Sequence, residues 1–86
     1  GQLDRVNLSA TGDLAAATEA LKRHERIQDA TYGDGAIEIT AEGARTLLPD
    51  IIRVVADAGA AISSVEVTEP DLEAVFLHLT GKALRD

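Results

Sequence analysis

The sequence predicts a small α+β domain whose elements follow the order strand, helix, strand, strand, helix, strand. Three features of the chain point to this order. Residues 5–10 alternate between apolar and polar side chains. A Gly-Asp-Gly turn joins two further alternating segments, and residues 44–58 repeat apolar side chains at helical spacing. A chain of 86 residues has room for one hydrophobic core, so we expect a single domain.

The first strand is predicted over residues 5–10, followed by a helix that Asp13 opens and that runs to about residue 25. Gly12 breaks the strand before the helix begins. The inward side chains of the strand are Val6, Leu8 and Ala10, and those of the helix are Leu14, Ala17 and Leu21.

A β-hairpin is predicted next, with strands over residues 28–32 and 36–40 joined by Gly33-Asp34-Gly35. Ile27 is expected to fill the turn before the hairpin. Alternation places Ala30 and Tyr32 on one face of the second strand, and it points Ile37 and Ile39 of the third strand inward.

The second helix is predicted over residues 44–58, with Gly59 ending it. Pro49 conflicts with a start at Ala44, so either the regular helix begins near Thr46 or a kink occurs at the proline. The expected apolar face consists of Leu48, Ile51, Ile52 and Val55.

The fourth strand, over residues 61–68, points Val65 and Val67 inward. Ile62 is out of phase with these two valines, which predicts a bend or bulge at Ser63-Ser64.

A short C-terminal helix is predicted over residues 71–81, after Pro70 and with Asp71 as its cap. Gly81 is placed to end it. Its apolar stripe is formed by Leu72, Val75, Phe76 and Leu79.

Right-handed crossovers applied to this order give a ferredoxin-like βαββαβ sandwich over residues 1–68, with the first and third strands central and both main helices on one face. Residues 69–86 form the additional helix and a tail. The open face of the sheet is expected to be polar, so the apolar stripe of the last helix should pack at an edge, on the main helices or on a partner. The expected open-face residues are Arg5, Asn7, Ser9, Glu38, Thr40, Glu66 and Thr68.

Composition and motifs predict no catalytic, metal or cofactor site in this chain. A net charge of −7 argues against a nucleic-acid partner, and the absence of an apolar run of about 18 residues argues against membrane insertion. The chain has no cysteine, and its two histidines, His24 and His78, lack the paired spacing of metal ligands. Gly81-Lys82 fails the P-loop pattern because residue 76 is Phe and residue 83 is Ala. The acidic residues around position 70 are explained by a solvated strand face and the start of a helix.

The C-terminal stretch resembles the ending of ABC transporter ATP-binding subunits of the daunorubicin-resistance and related ABC-2 exporter type. That family often finishes with Glu-Pro-Ser-Leu-Glu-Asp-Val-Phe-Leu-x-Leu-Thr-Gly. Two positions depart from the pattern: Asp71 replaces a Ser or Thr and still caps a helix, and Ala74 replaces an acidic residue, whose contacts cannot be carried over. The resemblance extends upstream to the helix of residues 48–59 and to Ile62-x-x-Val65-x-Val67. The matching residues are Glu69-Pro70-Asp71-Leu72-Glu73, Val75-Phe76-Leu77 and Leu79-Thr80-Gly81.

The resemblance implies a non-catalytic accessory domain of a longer ATPase chain, located in the cytoplasm and held at the inner or plasma membrane through a permease. A start without Met and without a leader fits such a fragment. ATP and Mg are expected only in the nucleotide-binding domain that would precede it. Expected partners are that domain and the permease subunit, with a homodimer left open. The implied docking residues are Glu69, Pro70, Leu72, Glu73, Val75, Phe76 and Leu79.

Two alternatives stay open. An ACT-like small-molecule-sensing module would bind a ligand at a dimer edge and needs a pocket with converging polar groups, yet only Gly12 represents the expected glycine-rich loop. A free-standing enzyme would need a nucleophile, base or metal set that the sequence does not offer.

Overall fold

The computed structural model describes residues 3–70 and 75–78, which form an antiparallel sheet covered on one face by two helices. The elements are β1 (Asp4–Gly12), α1 (Leu14–Lys22), β2 (Ile27–Gly33), β3 (Ala36–Ala41), α2 (Ala44–Asp57), β4 (Ala60–Thr68) and β5 (Val75–His78). The strand order is β2-β3-β1-β4-β5, so β1 and β3 lie inside the sheet, as predicted, and β5 adds a fifth strand beside β4. The βαββαβ order and the ferredoxin-like core are confirmed.

The hydrophobic core lies between the sheet and the two helices. Leu8 of β1 is fully buried and stands opposite Ile37 of β3 and Val65 of β4 in the strand register. The alternation predicted for β1, β3 and the end of β4 is confirmed, since every predicted inward residue there is buried. The largest fully buried side chains are Leu8, Leu21, Ile37, Ile39, Leu47, Ile51, Val6, Val55, Val65 and Val67.

Helix α1 begins as predicted and ends earlier. Asp13 is the N-cap, and its Oδ1 accepts a hydrogen bond of 3.0 Å from the amide of Ala16. The helix stops at Lys22 rather than near residue 25, because the amides of Arg23 and His24 turn back to the carbonyls of Ala20 and Leu21 in a tighter final turn.

The hairpin turn is confirmed as a two-residue connection. Asp34 and Gly35 have φ values of 52° and 75°, the positive values that a type I′ turn requires. Ala30 is buried, but Tyr32 is 55% exposed because it lies on the edge strand β2 next to this turn. Tyr32 therefore contributes little to the core, although the alternation places it on the same face as the buried Ala30.

Helix α2 begins at Ala44, so the alternative start near Thr46 is wrong. The carboxylate of Asp4, only 7% exposed, accepts a hydrogen bond of 2.9 Å from the amide of Ala44 and fixes that first turn. Pro49 lies inside the helix on its exposed side. The buried stripe is also rotated from the predicted one, because Leu47 is buried while the predicted Leu48 and Ile52 are half-buried; its members are Ala44, Leu47, Ile51 and Val55.

The predicted irregularity in β4 is a β-bulge. Ser9 of β1 is opposite Ser64, whereas the next residue, Ala10, is opposite Ile62, so Ser63 is the extra residue. The Ser63 hydroxyl donates a hydrogen bond of 3.1 Å to the carbonyl of Ser9. The bulge brings Ile62 back into phase, and its side chain packs against the core.

The predicted C-terminal helix is wrong for Val75–His78, which form the strand β5, paired antiparallel with β4. Without β5, β4 would be an edge strand with one row of backbone donors and acceptors unpaired. Pairing Val75, Phe76 and Leu77 with that edge satisfies those groups, and valine and phenylalanine favour strands. A short isolated helix is only marginally stable, so the backbone pairing with β4 outweighs the helical spacing of the apolar residues in deciding the structure of this segment. The rest of the predicted helix, residues 71–74 and 79–81, lies outside the described residues.

The open face of the sheet is polar, as predicted. Seven residues were expected there, and the structure leaves five of them exposed and two, Thr40 and Glu66, half-buried. The exposed five are Arg5, Asn7, Ser9, Glu38 and Thr68. The two helices in the described residues have nine and fourteen residues, and neither is long and apolar enough to cross a bilayer.

Candidate functional site

Glu69, Pro70 and Val75–His78 are the described part of the stretch that resembles the ABC-subunit ending, and they lie at one edge of the sheet. In the strand register Val75 is opposite Val67, Leu77 is opposite Val65, and Phe76 is opposite Glu66. Within the described part of the chain, β5 is the outermost strand on this side. The side chain of Leu77 is 40% exposed there. We call β5, together with Glu69 and Pro70 at the end of β4, the β4–β5 edge.

Glu69 joins the β4–β5 edge to helix α2. Its Oε1 lies 3.2 Å from Nε of Arg45, and Glu69 is the more buried partner, with 19% of its side chain exposed against 55% for Arg45. The same oxygen is buried and accepts no well-directed hydrogen bond from the residues that the structure describes. Glu69 and Arg45 are therefore close enough to form an ion pair, but the direction of the Nε–H group does not make the contact a hydrogen bond. The sequence predicted a contact with a neighbouring protein for Glu69, and the structure gives it a partner within the chain.

The other predicted docking residues are only partly covered by the structure. Pro70 is exposed and lies two residues beyond Thr68, the last residue of β4, where its missing amide cannot interrupt the ladder. Val75 and Phe76 belong to β5 and are placed by their backbone register. Leu72, Glu73 and Leu79 lie outside the described residues.

A second cluster of charged side chains joins the turn after α1 to helix α2. Nε2 of His24 lies 3.2 Å from Oδ2 of Asp50, and Nη2 of Arg53 donates a hydrogen bond of 3.1 Å to Oδ1 of the same carboxylate. Nδ1 of His24 accepts a hydrogen bond of 3.1 Å from the amide of Arg26. Since a carboxylate only accepts, these two contacts assign the donor role to Nε2 and the acceptor role to Nδ1. No local sequence pattern indicates this partner of His24, which lies 26 residues further along the chain.

The hydrogen bond from His24 and the nearby Arg53 guanidinium hold the pKa of Asp50 below its ordinary value of 3.8, although partial desolvation opposes them. We expect the stabilisation from Asp50 to be fully present above that ordinary value and to be lost as the pH falls through the lower folded-state pKa. The measurement is urea unfolding of the wild type and of Asp50→Asn, from about pH 4.5 down to about pH 2.5, where Asp50 itself takes up its proton. The difference in the free energy of unfolding should shrink as the pH falls, and a constant difference would contradict this assignment.

Two open clefts mark the surface of the described residues. The larger, of about 760 Å³, lies at the turn after α1, and the smaller, of about 420 Å³, lies between the two helices. Nη2 of Arg26 is held at the larger cleft by Oγ1 of Thr46, 3.2 Å away, and by the carbonyl of Glu42, 3.5 Å away. The larger cleft is lined by Leu3, Glu25, Arg26, Gln28, Glu42 and Gly43.

Gly12, the one glycine expected to stand for a ligand-binding loop, has a structural use. Its φ is +100°, and a Cβ atom at this position would lie 2.5 Å from the carbonyl oxygen of Gly59. The next amide, that of Asp13, donates a hydrogen bond of 3.1 Å to that same oxygen. The close approach of the two backbones explains this glycine without a ligand.

The described residues contain no group of three or more His, Asp or Glu side chains arranged to hold a metal ion. Comparisons with protein-family models, with curated proteins and with solved structures found no match to this chain.

Proposed function

We propose that this chain is a non-catalytic accessory domain of an ABC exporter ATP-binding subunit. In this proposal it positions or stabilises the ATPase against a neighbouring subunit, either the second ATPase of a dimer or the membrane permease. The parent protein binds ATP and Mg in a nucleotide-binding domain outside this chain. The domain then works in the cytoplasm, at the membrane, through its contact with the permease.

The observation that carries this proposal is the position of the matching stretch at the β4–β5 edge. The segment that resembles the ABC-subunit ending supplies the outermost described strand on this side of the sheet. An edge strand can pair with an extended segment of another protein through its backbone. Val75–His78 contain no Asp, Glu, Lys, Arg or Pro, the residues that commonly prevent such pairing. The ion pair between Glu69 and Arg45 supports the same edge from the side of α2.

The first test is the reading frame upstream of Gly1 in the gene. We expect it to encode a nucleotide-binding domain with a P-loop of the form Gly-x-x-x-x-Gly-Lys-Ser/Thr. A frame that encodes no such domain would remove the transporter assignment. Reading the upstream gene sequence needs no purified protein, so it should precede the binding experiments.

The second test is Leu77→Lys in the full-length ATPase. A charged side chain at an exposed edge position opposes pairing with another strand, so we expect co-purification with the permease to fall by roughly tenfold. The matched control is Tyr32→Lys, which places the same charge at an exposed position of the opposite edge strand, β2. Thermal unfolding of both variants separates loss of docking from loss of folding.

A truncation after Pro70 extends the same test. It removes β5 and re-exposes the edge of β4, so loss of assembly is expected together with some loss of stability. If the truncated ATPase assembles with its permease and transports normally, the docking role is excluded.

The alternative function, an ACT-like sensor of small molecules, draws support from the larger cleft. Its rim includes the polar side chains of Glu25, Arg26, Gln28 and Glu42. Gly12 counts against this alternative, because its backbone is packed against Gly59. A rise in the unfolding temperature of the domain with a free metabolite would favour the sensor.

A further inference from the structure

Beyond its proposed function, the chain carries a hydrogen-bond arrangement at residues 24–27 that depends on the protonation of one histidine. The carbonyl of His24 accepts a hydrogen bond of 3.0 Å from the amide of Ile27, and Nδ1 of its side chain accepts one of 3.1 Å from the amide of Arg26. His24 thus accepts hydrogen bonds from two amides of the turn, one through its backbone carbonyl and the other through its ring.

The same turn is attached to helix α2 by two side-chain contacts. Asp50 accepts the Nε2 proton of His24, and Thr46, one helical turn earlier, lies 3.2 Å from the Arg26 guanidinium. Only 22% of the His24 side chain is exposed, so the ring is fixed between the turn and the helix. The turn also lines the larger cleft, through Glu25 and Arg26.

Protonation of His24 removes its hydrogen bond with the Arg26 amide and preserves its contact with Asp50. A proton on Nδ1 converts that nitrogen from an acceptor into a donor, so it can no longer bond the Arg26 amide. The contact with Asp50 becomes an ion pair and is strengthened. Asp50 stays a carboxylate in mild acid, because its pKa is held below the ordinary value. On α2, Asp50 contacts the ring and Arg53 contacts Asp50; Arg23, Glu25 and Arg26 are the charged neighbours of His24 in the chain.

We propose that the turn of residues 24–27 is acid-sensitive: protonation of His24 releases the Arg26 amide and reshapes the larger cleft, while the Asp50 contact keeps the ring on α2. The switch acts locally, on the loop between α1 and β2, and leaves the core in place.

The test is an NMR titration of the chain. The ¹⁵N signals of the two imidazoles report their tautomers directly, and we expect His24 to carry its proton on Nε2 before it titrates. As His24 becomes protonated, the protection of the Arg26 amide from hydrogen exchange, corrected for the intrinsic effect of pH, should fall by about three- to tenfold, as for the loss of one hydrogen bond. The amide signal of Gln28 at the cleft should shift with the same midpoint.

The matched variant is His24→Asn, whose side-chain oxygen can accept the Arg26 amide but does not titrate. In this variant the Arg26 protection should be independent of pH, and the loss of one imidazole signal set assigns the other to His78. An Nδ1–H tautomer in the unprotonated wild type, an unchanged Arg26 amide or an unshifted Gln28 signal would each overturn the proposal. The wild-type measurements need no variant, so they decide the matter even if His24→Asn folds poorly.

Discussion

Replacing Gly12 with alanine is expected to destabilise the domain by about 3 kcal/mol or more, through backbone strain and a steric clash together. The φ of +100° at this position is one that alanine rarely adopts. The new Cβ would also lie 2.5 Å from Gly59 O and 3.0 Å from Cα of Ala60, both of them backbone atoms that cannot rotate away. Either β1 or the connection from α2 to β4 must move.

The matched control is Gly33→Ala. A Cβ at Gly33 would meet nothing within 4 Å, and its φ is not positive. Urea unfolding should therefore separate the two variants clearly, with Gly33→Ala close to the wild type. Equal stability of Gly12→Ala and Gly33→Ala would show that the close approach of the two backbones does not constrain the fold.

Replacing Leu8 with alanine is expected to cost about 2–5 kcal/mol, the usual range for a buried leucine. Leu8 is fully buried in the central strand, between Ile37 and Val65. The surrounding strands are hydrogen-bonded on both sides, so the cavity cannot close by moving β1. A domain of this size has about 5–10 kcal/mol of total stability, and a substantial unfolded population is expected near 37 °C.

Leu77→Ala is the control for Leu8→Ala, since it removes the same atoms from an exposed position. Its effect on the free energy of unfolding should stay below about 1 kcal/mol. Calorimetry or urea unfolding of both variants gives the comparison. If Leu8→Ala lowered the free energy of unfolding by no more than Leu77→Ala, the location of the core would be contradicted.

Local patterns were sufficient to predict most of the sheet. The alternation around Leu8, the positive φ values required at Asp34-Gly35 and the phase error at Ile62 each depend on residues close together in sequence. Each of these predictions is confirmed because neighbouring residues alone decide which side of a strand faces the core.

Predictions that depend on distant residues were less accurate. Pro49 left the start of α2 open between Ala44 and Thr46, and the contact that fixes it at Ala44 comes from Asp4, 40 residues earlier. The C-terminal stretch has helical spacing, yet four of its residues pair with β4, because the sheet offers hydrogen bonds that an isolated short helix must supply from within.

The candidate site shows the same division. The sequence identified Glu69 and the segment of β5 as residues of interest through a resemblance, but it assigned the β5 segment to a helix and Glu69 to a contact with an outside partner. The partners that the structure supplies, Arg45 for Glu69 and Asp50 for His24, are 24 and 26 residues away (69 − 45 and 50 − 24). Charge pairs across elements of this kind follow from the fold and cannot be inferred from spacing.

The buried carboxylate of Asp4 has a mechanical consequence for anything attached ahead of it. Asp4 is the first residue of β1, the middle strand of the sheet, and its carboxylate accepts a hydrogen bond from the first amide of α2. The start of β1 is therefore held against the start of α2. A force applied to β1 at Asp4 is therefore transmitted both to the middle of the sheet and to the first turn of α2.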